Sequence, residues 1–493
     1  MSTNPSTPPG APFDRTAIAG NVPEGPIVPE LAEYRRTLLG SIDERYLDNH
    51  IVRAAAIILL GAALLIPSIQ FVVKIQKADV SLYREGGERL RTALGRWLPT
   101  AELMLDPDNQ VNPYGMGHWF PTPPLVLLSI APLTRLGVVG AAIVWSAGKI
   151  VAVLVGLALT IRGIGRASFA VPIGVLLMAM AYSVRPIVSD ISHGNLNIFM
   201  MAWLAIAWGL FVRRFDFCAG LFLALAVVTK LTPALALVYF AYKRQWRVLI
   251  GAAVGMGMFF IVIPGLILGF EKNWHYLKSW FDMLVAPFAL HGYAAYEPAN
   301  QSLFGVVMRL FGKVGILQIE EMPVDMAFNS GMEDMARPAT SLGRLLKPAI
   351  SLPIFAVLAW VCRTPTRDRR DPRLLLEFSM ILLAMLLLSE RTWKHHATTL
   401  PIVFIAVWYV LTCRPLTERF RAWFVAGLSA QLVLLVLLSE GILRDRLAER
   451  LLDYGVFCWG LLLCFIQAGL LIIAVSAKRC STVPSEYPEP TAG

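Results

Sequence analysis

The stretch GVFCWGLLLCFIQAGLLIIAVSA runs from Gly455 to Ala477 without a single charged side chain, and Lys478-Arg479 closes it. As a helix rising about 1.5 Å per residue it covers the roughly 30 Å of a bilayer's hydrocarbon core. Working outward, comparable apolar stretches lie at about 51–73, 138–161, 169–187, 195–212, 216–230, 232–242, 246–269, 346–362, 374–389, 397–413 and 421–439. Of the 493 residues, 56% are hydrophobic and 16% charged, with a mean hydropathy of +0.60. A soluble chain is nearer a quarter charged, so lipid is part of the solvent for this protein. Ten-residue alternating strands are absent, which predicts an all-α, polytopic transmembrane helix bundle of about twelve spans rather than a barrel.

The net charge of +10 is no sign of nucleic acid. The excess Lys and Arg sits in short links: Arg162/Arg166, Arg213/Arg214, Lys243/Arg244/Arg247, Arg363/Arg367/Arg369/Arg370/Arg373, Arg414/Arg419/Arg421 and Lys478/Arg479. Positive charge at such links faces the cytoplasm. All of these clusters fall on that one face, with both termini inside, provided that 121–136, with its Pro123-Pro124 start and Arg135, is a shallow or re-entrant helix. The six Cys show no paired spacing and read as buried small hydrophobes. Residues 1–50, with a Pro/Ser/Thr-rich run from Met1 to Pro29, predict a disordered cytoplasmic leader, and 478–493 a cytoplasmic tail. Residues 51–477 form the membrane domain, with large outer loops at 74–137 and 270–345. In the first loop Leu82, Leu90, Leu94, Trp97 and Leu98 alternate with charged residues, the pattern of a helix lying on a membrane surface.

Five polar constellations fall on the outer face in this topology. Asp79 follows the first span, in Lys77-Ala-Asp79-Val-Ser-Leu-Tyr83. A carboxylate there suits a general base toward a hydroxyl, and equally an N-cap for the helix that follows. His118-Trp119-Phe-Pro-Thr-Pro-Pro124-Leu125 sets two prolines ahead of an apolar helix, with Trp119 as an interfacial anchor. Ser189-Asp190-Ile-Ser192-His193-Gly194-Asn195-Leu-Asn197 holds more polar groups than a plain turn needs, and they suit hydroxyl or phosphate oxygens. Lys230, enclosed by apolar sequence in Thr229-Lys230-Leu-Thr-Pro233, either snorkels to the interface or meets an anionic lipid phosphate. Last come Asn300-Gln301-Ser302 and Glu390-Arg391-Thr-Trp393-Lys394-His395-His396. Adjacent histidines on a helix diverge by about 100°, so phosphate binding by Arg391, Lys394 and an imidazole is preferred to metal binding.

The order of these elements resembles glycosyltransferase family 87, the polyprenol-phosphate-sugar-dependent enzymes of GT-C type. The elements that carry the resemblance are Asp79-Val-Ser-Leu-Tyr83, Pro121-Thr-Pro123-Pro124-Leu125, His193-Gly194-Asn195-Leu-Asn197, Lys230-Leu-Thr-Pro233, Asn300-Gln-Ser302 and Ser389-Glu-Arg-Thr-Trp393-Lys-His395-His396, over roughly residues 50–415. Asn195 stands where the family has Gln, and Thr122 interrupts the aromatic–Pro–Pro pattern. The resemblance implies a GT-C-like bundle in a bacterial plasma membrane. It would move a hexose, commonly mannose, from a polyprenyl-phosphate donor to a lipid- or glycan-linked acceptor outside the cytoplasm, with inversion. It casts Asp79 as the base and Lys230, Arg391, Lys394, His395 and His396 as holders of the donor phosphate. Tyr83, His118, Asp190, His193, Asn195 and Asn300 become substrate contacts. No cofactor or metal is expected, although Asp106-Pro-Asp108 has the spelling of a metal motif. A transporter or flippase for a lipid-linked sugar is the alternative. It calls for repeats and for charges near the bilayer midplane, and the sequence shows neither to the eye.

Overall fold

The structure is a computed structural model that describes residues 29–47, 49–81, 92–109, 112–114, 122–164, 171–290, 292–317, 337–338, 341–439 and 442–481. In chain order its main helices are α1 (His50–Ser81), α2 (Ala93–Leu105), α3 (Pro124–Ile130), α4 (Gly137–Gly163), α5 (Ile173–His193), α6 (Asn197–Val212), α7 (Asp216–Thr229), α8 (Ala234–Tyr242) and α9 (Trp246–Met256). There follow α10 (Phe270–Trp280), α11 (Leu303–Lys313), α12 (Ser341–Val361), α13 (Pro372–Leu387), α14 (Leu400–Cys413), α15 (Glu418–Leu432), α16 (Asp445–Asp453) and α17 (Val456–Ser481). Helical turns at Gly257–Val262 and Ile263–Leu268 prolong α9. A two-residue strand, Tyr293–Ala294, pairs antiparallel with Arg337–Pro338.

Each apolar stretch read from the sequence holds a helix among the described residues. Among the described residues, eight helical segments are long and apolar enough to cross a membrane; α6 and α7 are shorter apolar helices. The core forms around α13 and α14, in which every residue is buried. Of an 18-residue apolar stretch within Lys394–Cys413, 94% lies inside the protein, against 22% within His50–Lys77 and 17% within Ser341–Val361. A helix apolar all round belongs in the centre, whereas Ile57, Ile58, Leu65 and Ile69 of α1 are left facing lipid.

Two short helices make a recess. α7 has 14 residues and α8 has 9. At about 1.5 Å per residue they reach roughly 21 and 14 Å, well short of a bilayer core. Pro233 cannot continue α7, and Lys230 is extended at φ −159°. Lys230 therefore sits below the level reached by the longer helices. α3 and the 3-10 turns Ala131–Leu136 have 7 and 6 residues, about 22 Å together, too short to span unaided. Gly137, at φ +66°, then turns the chain into α4.

Contacts sort the loops into two ends. At the arginine end, Lys243 Nζ lies 2.6 Å from Glu377 Oε2, and Arg369 reaches the Phe211 carbonyl at 2.8 Å. At the opposite end lie the turns 190–197, 230–233, 297–302 and 390–396.

Two expectations change here. Residues 29–47, within the stretch read as a disordered leader, are short helices docked on the bundle: Tyr34 is buried and its hydroxyl donates to Asp43 at 2.7 Å. Three apolar side chains of α2, Leu94, Trp97 and Leu98, are buried in one cluster with Phe71, Ile75, Tyr276 and Trp280, and so face protein instead of lipid. An amphipathic pattern says that one face is covered and leaves open by what.

Candidate functional site

The recess opens as a cavity of about 320 Å³ at the end opposite the links of Arg213/Arg214, Lys243/Arg244 and Arg369. Lys230, Asn195, Asn197, Arg391 and His396 supply its polar wall. Trp97, Trp280, Leu284, Val285, Phe288 and Leu231 supply an apolar one, drawn from α2, from α10 and the turns after it, and from the 230–233 break.

Lys230 is held from behind by a chain of buried polar groups. Its Nζ donates to Asn197 Oδ1 at 3.1 Å. Asn197 in turn gives its Nδ2 and its backbone N–H to Asp190 Oδ2, at 2.9 and 3.1 Å. Lys149 Nζ, midway along α4, donates to Asp190 Oδ1 at 2.8 Å and to the Asp190 carbonyl at 2.7 Å. Lys149 and Asp190 are fully buried; the pair ties α4 to the end of α5, and through Asn197 the same carboxylate holds the end of α5 against the start of α6. Gly194 makes the turn between them at φ +65°, and a Cβ there would meet the Phe71 ring at 2.6 Å. Breaking one partner of a buried pair costs about 3–5 kcal/mol. Lys149→Met should therefore lower the melting temperature of the purified protein, and adding Asp190→Asn should recover part of the loss. A double variant no more stable than the single would show the two to be uncoupled.

The histidines sit on a 3-10 turn, Lys394–Thr399. The His395 ring stacks on His193 at 5.0 Å, and its Nε2 accepts from Asn195 Nδ2 at 3.1 Å. The His396 ring stacks on Trp393 at 5.7 Å, and its Nδ1 accepts from Trp393 N at 3.1 Å. The same Nδ1 lies 3.1 Å from the Arg391 carbonyl, which can only accept, so the tautomer of the ring decides which of the two bonds forms. Arg391 Nε lies 2.9 Å from Glu297 Oε1, which also accepts from Trp393 Nε1 at 3.1 Å. Burial pushes the Arg391 guanidinium below its ordinary value, and Glu297 beside it opposes that. Burial likewise raises the Glu390 carboxyl, while Lys347 pulls it back.

Asn300 is buried behind this turn. It donates to the Ala295 and Glu390 carbonyls at 2.9 and 3.0 Å and accepts from Thr392 N at 2.9 Å and Ser302 N at 3.0 Å. Its amide is thereby spent on joining the long loop to the 390–392 turn.

The structure thus brings together Lys230, Asn195, Arg391 and His396 at the cavity, with His193 and His395 stacked beside it and Lys394 in the same turn. Asp190 and Asn300 stand one layer back. Tyr83 and His118 lie outside the described residues; Asp79 belongs to the last turn of α1, with its side chain outside them. That turn is helical, so Asp79 is not the N-cap of a following helix. Asp106 and Asp108 close the turn after α2, where Asp108 N donates to Asp106 Oδ1 at 3.0 Å. Sequence reading passed over Glu297 and Lys149. The second was open to the criterion that singled out Lys230, a lone lysine in apolar sequence, and it corrects the expectation that no charge lies deep in a span.

Residues 120–390, more than half of the chain, match the sequence model of Glycosyltransferase family 87. A curated relative from Mycolicibacterium smegmatis, named polyprenol-phosphate-mannose-dependent alpha-(1-2)-phosphatidylinositol mannoside mannosyltransferase, is 25% identical over 433 residues, 82% of this chain and 86% of its own length. A relative of the same name from Mycobacterium tuberculosis is 27% identical over 177 residues, covering 34% of this chain and only 40% of the relative. No solved structure matches the chain.

Proposed function

The chain belongs to glycosyltransferase family 87, and from that premise we propose that it moves a mannosyl group from a polyprenyl-phosphate donor to a lipid-linked acceptor of the phosphatidylinositol mannoside kind, on the extracytoplasmic face of the membrane. The observation that carries this reading is the two-walled cavity: Lys230, Arg391 and His396 on one side, and Trp280, Leu284, Val285 and Phe288 on the other. A lipid monophosphate needs both, cations and N–H donors for its head and an apolar wall for its chain.

In this reading Asp79 takes the proton from an acceptor hydroxyl. The oxygen's electron pair forms the new bond to the anomeric carbon, and the bond from that carbon to the phosphate oxygen breaks on the opposite face. The pair leaves with polyprenyl phosphate, and the anomeric centre is inverted. The leaving phosphate gains negative charge, which Lys230 and the 391–396 turn, including Lys394 and His395, are placed to offset. His193 and Asn195, with Tyr83 and His118, contact the sugars, while Asp190 and Asn300 act through the groups that they hold. The donor carries one phosphate, so the reading calls for no metal clamp of the kind a nucleotide pyrophosphate needs.

The test is transfer in proteoliposomes that hold the purified protein. Label should pass from polyprenyl-phosphate mannose to a phosphatidylinositol mannoside; label that passes only from a nucleotide sugar would end the proposal. The face is read separately with Ala299→Cys in a Cys218→Ser/Cys480→Ser background, since Ala299 and Cys218 are exposed and the Cys480 side chain lies outside the described residues. An impermeant maleimide added outside intact cells should label it. Labelling only after permeabilisation would invert the topology.

A further inference from the structure

We infer that the arginine end carries a second site, one for a phosphate group, between the first turns of α7 and α9. An open pocket of about 480 Å³ there is lined by Arg214, Arg244, Arg247, Arg369, Trp246 and Asp216, among others. The two helices run parallel, since Gly220 meets Val248 while Gly255 meets Ala224. Their N-termini therefore open at the same end. Neither is capped by a side chain: Phe215 and Gln245 at the N-cap positions make no such bond. Helix N-termini of this kind present backbone N–H groups and positive dipole ends to an anion.

The floor of the pocket is fixed. Arg369 reaches across from the link before α13, pairs with both oxygens of Asp216, donates to Gln245 Oε1 at 3.1 Å and lies 4.4 Å from the centre of the Phe211 ring. Asp216 is thereby engaged, and Arg214, Arg244 and Arg247 stand exposed around it. Trp246 and Phe215, 62% and 59% exposed, flank the opening with apolar surface.

The backbone supplies an independent argument. Arg214 and Arg244 are the non-glycine residues with positive φ among those described, at 67° and 54°. Each follows the end of a helix, at the position that glycine usually fills. Holding membrane topology needs basic residues somewhere in these links and does not call for arginine in a left-handed conformation. Both side chains line the one pocket, and guanidinium groups match phosphate oxygens in bidentate geometry. The phosphate belongs either to a phospholipid head group or to a soluble ester.

The test compares wild type with Arg214→Gly/Arg244→Gly, both in neutral-lipid nanodiscs, by melting temperature. Glycine fits the left-handed turns, so the variant should melt at the same temperature or higher. Adding phosphatidylglycerol to the discs, or inorganic phosphate at matched ionic strength, should raise the melting temperature of wild type, and the variant should lose at least half of that rise. A rise with phosphatidylglycerol alone assigns a head group; a rise with inorganic phosphate assigns a soluble ester. No rise with either, or a rise kept in full by the variant, overturns the site. Arg247→Gln, in regular helix, gives the same readout should the glycine variant fail to fold.

Discussion

Asp79→Asn is expected to lower the rate of mannosyl transfer roughly 10²–10⁴-fold, the usual contribution of a positioned general base. Melting temperature and donor affinity should stay close to wild type, because Asn keeps the size of Asp. The register of α1 is the structural support. Phe71 and Ile75, one turn apart, are buried in the cluster that contains Trp97 and Trp280, and both tryptophans also line the cavity. Asp79 comes four residues after Ile75 in the same helix. Asp106→Asn is the informative control. Asp106 is exposed and caps a turn that Asn can also close, so that variant should keep its activity. Transfer by Asp79→Asn within about threefold of wild type would remove Asp79 as the base, since that leaves less than the tenfold that 1.4 kcal/mol supplies. Loss of transfer in Asp106→Asn alone would move the chemistry to the Asp106-Pro-Asp108 turn.

Gly251→Val is expected to prevent formation of the bundle. α7 and α9 meet backbone to backbone along Gly220-Leu-Phe-Leu-Ala224 and Gly251-Ala-Ala-Val-Gly255, a small-residue seam that allows close approach in lipid. A Cβ at Gly251 would fall under 3.0 Å from the Phe217 carbonyl oxygen, and one at Gly220 equally close to that of Val248. Both obstacles are backbone, so a rotamer change does not relieve them and the helices must part. Overpacking of this kind costs typically about 1–3 kcal/mol and more where nothing can yield. The seam also sets where α7 ends and hence where Lys230 stands, so any folded fraction should have lost donor binding. The measurement is the yield of monodisperse protein in detergent, with its melting curve. Gly61→Ala is the control: a Cβ at Gly61 meets nothing within 4 Å, and Ala is the better helix former by about 1 kcal/mol. Wild-type yield and melting from Gly251→Val would show that the helices are not held at this distance.

Several features of the site were open to local reading. Lys230 stood out because a charge in apolar sequence is expensive wherever it is placed, and it lines the cavity. The turn at 193–195 and the run 391–396 stood out by polar density, and they meet through His395 and Asn195. Other roles depended on partners far along the chain. Asp190 and Asn197 looked like members of one polar turn, and what sets Asp190 apart is Lys149, 41 residues away. Asn300 looked like a ligand contact, but its neighbours 90 and 92 residues on make it a clamp between loops.

The sequence by itself determined the solvent, the secondary structure and the grouping of loops. Each follows from free energies that act within a turn or two: transfer of apolar side chains to lipid, closure of backbone hydrogen bonds inside a helix, and the placement of Arg and Lys beside short links. Only the tertiary structure decided which polar groups face one another. Gly455–Ala477 announces a membrane helix on its own. That the Lys149 ammonium meets Asp190, and that Asn197 then fixes Lys230 at a cavity, depends on how α4, α5, α6 and α7 come together. Burying a charge is unfavourable until its partner arrives, and the partner comes from a helix whose own sequence carries no sign of the meeting.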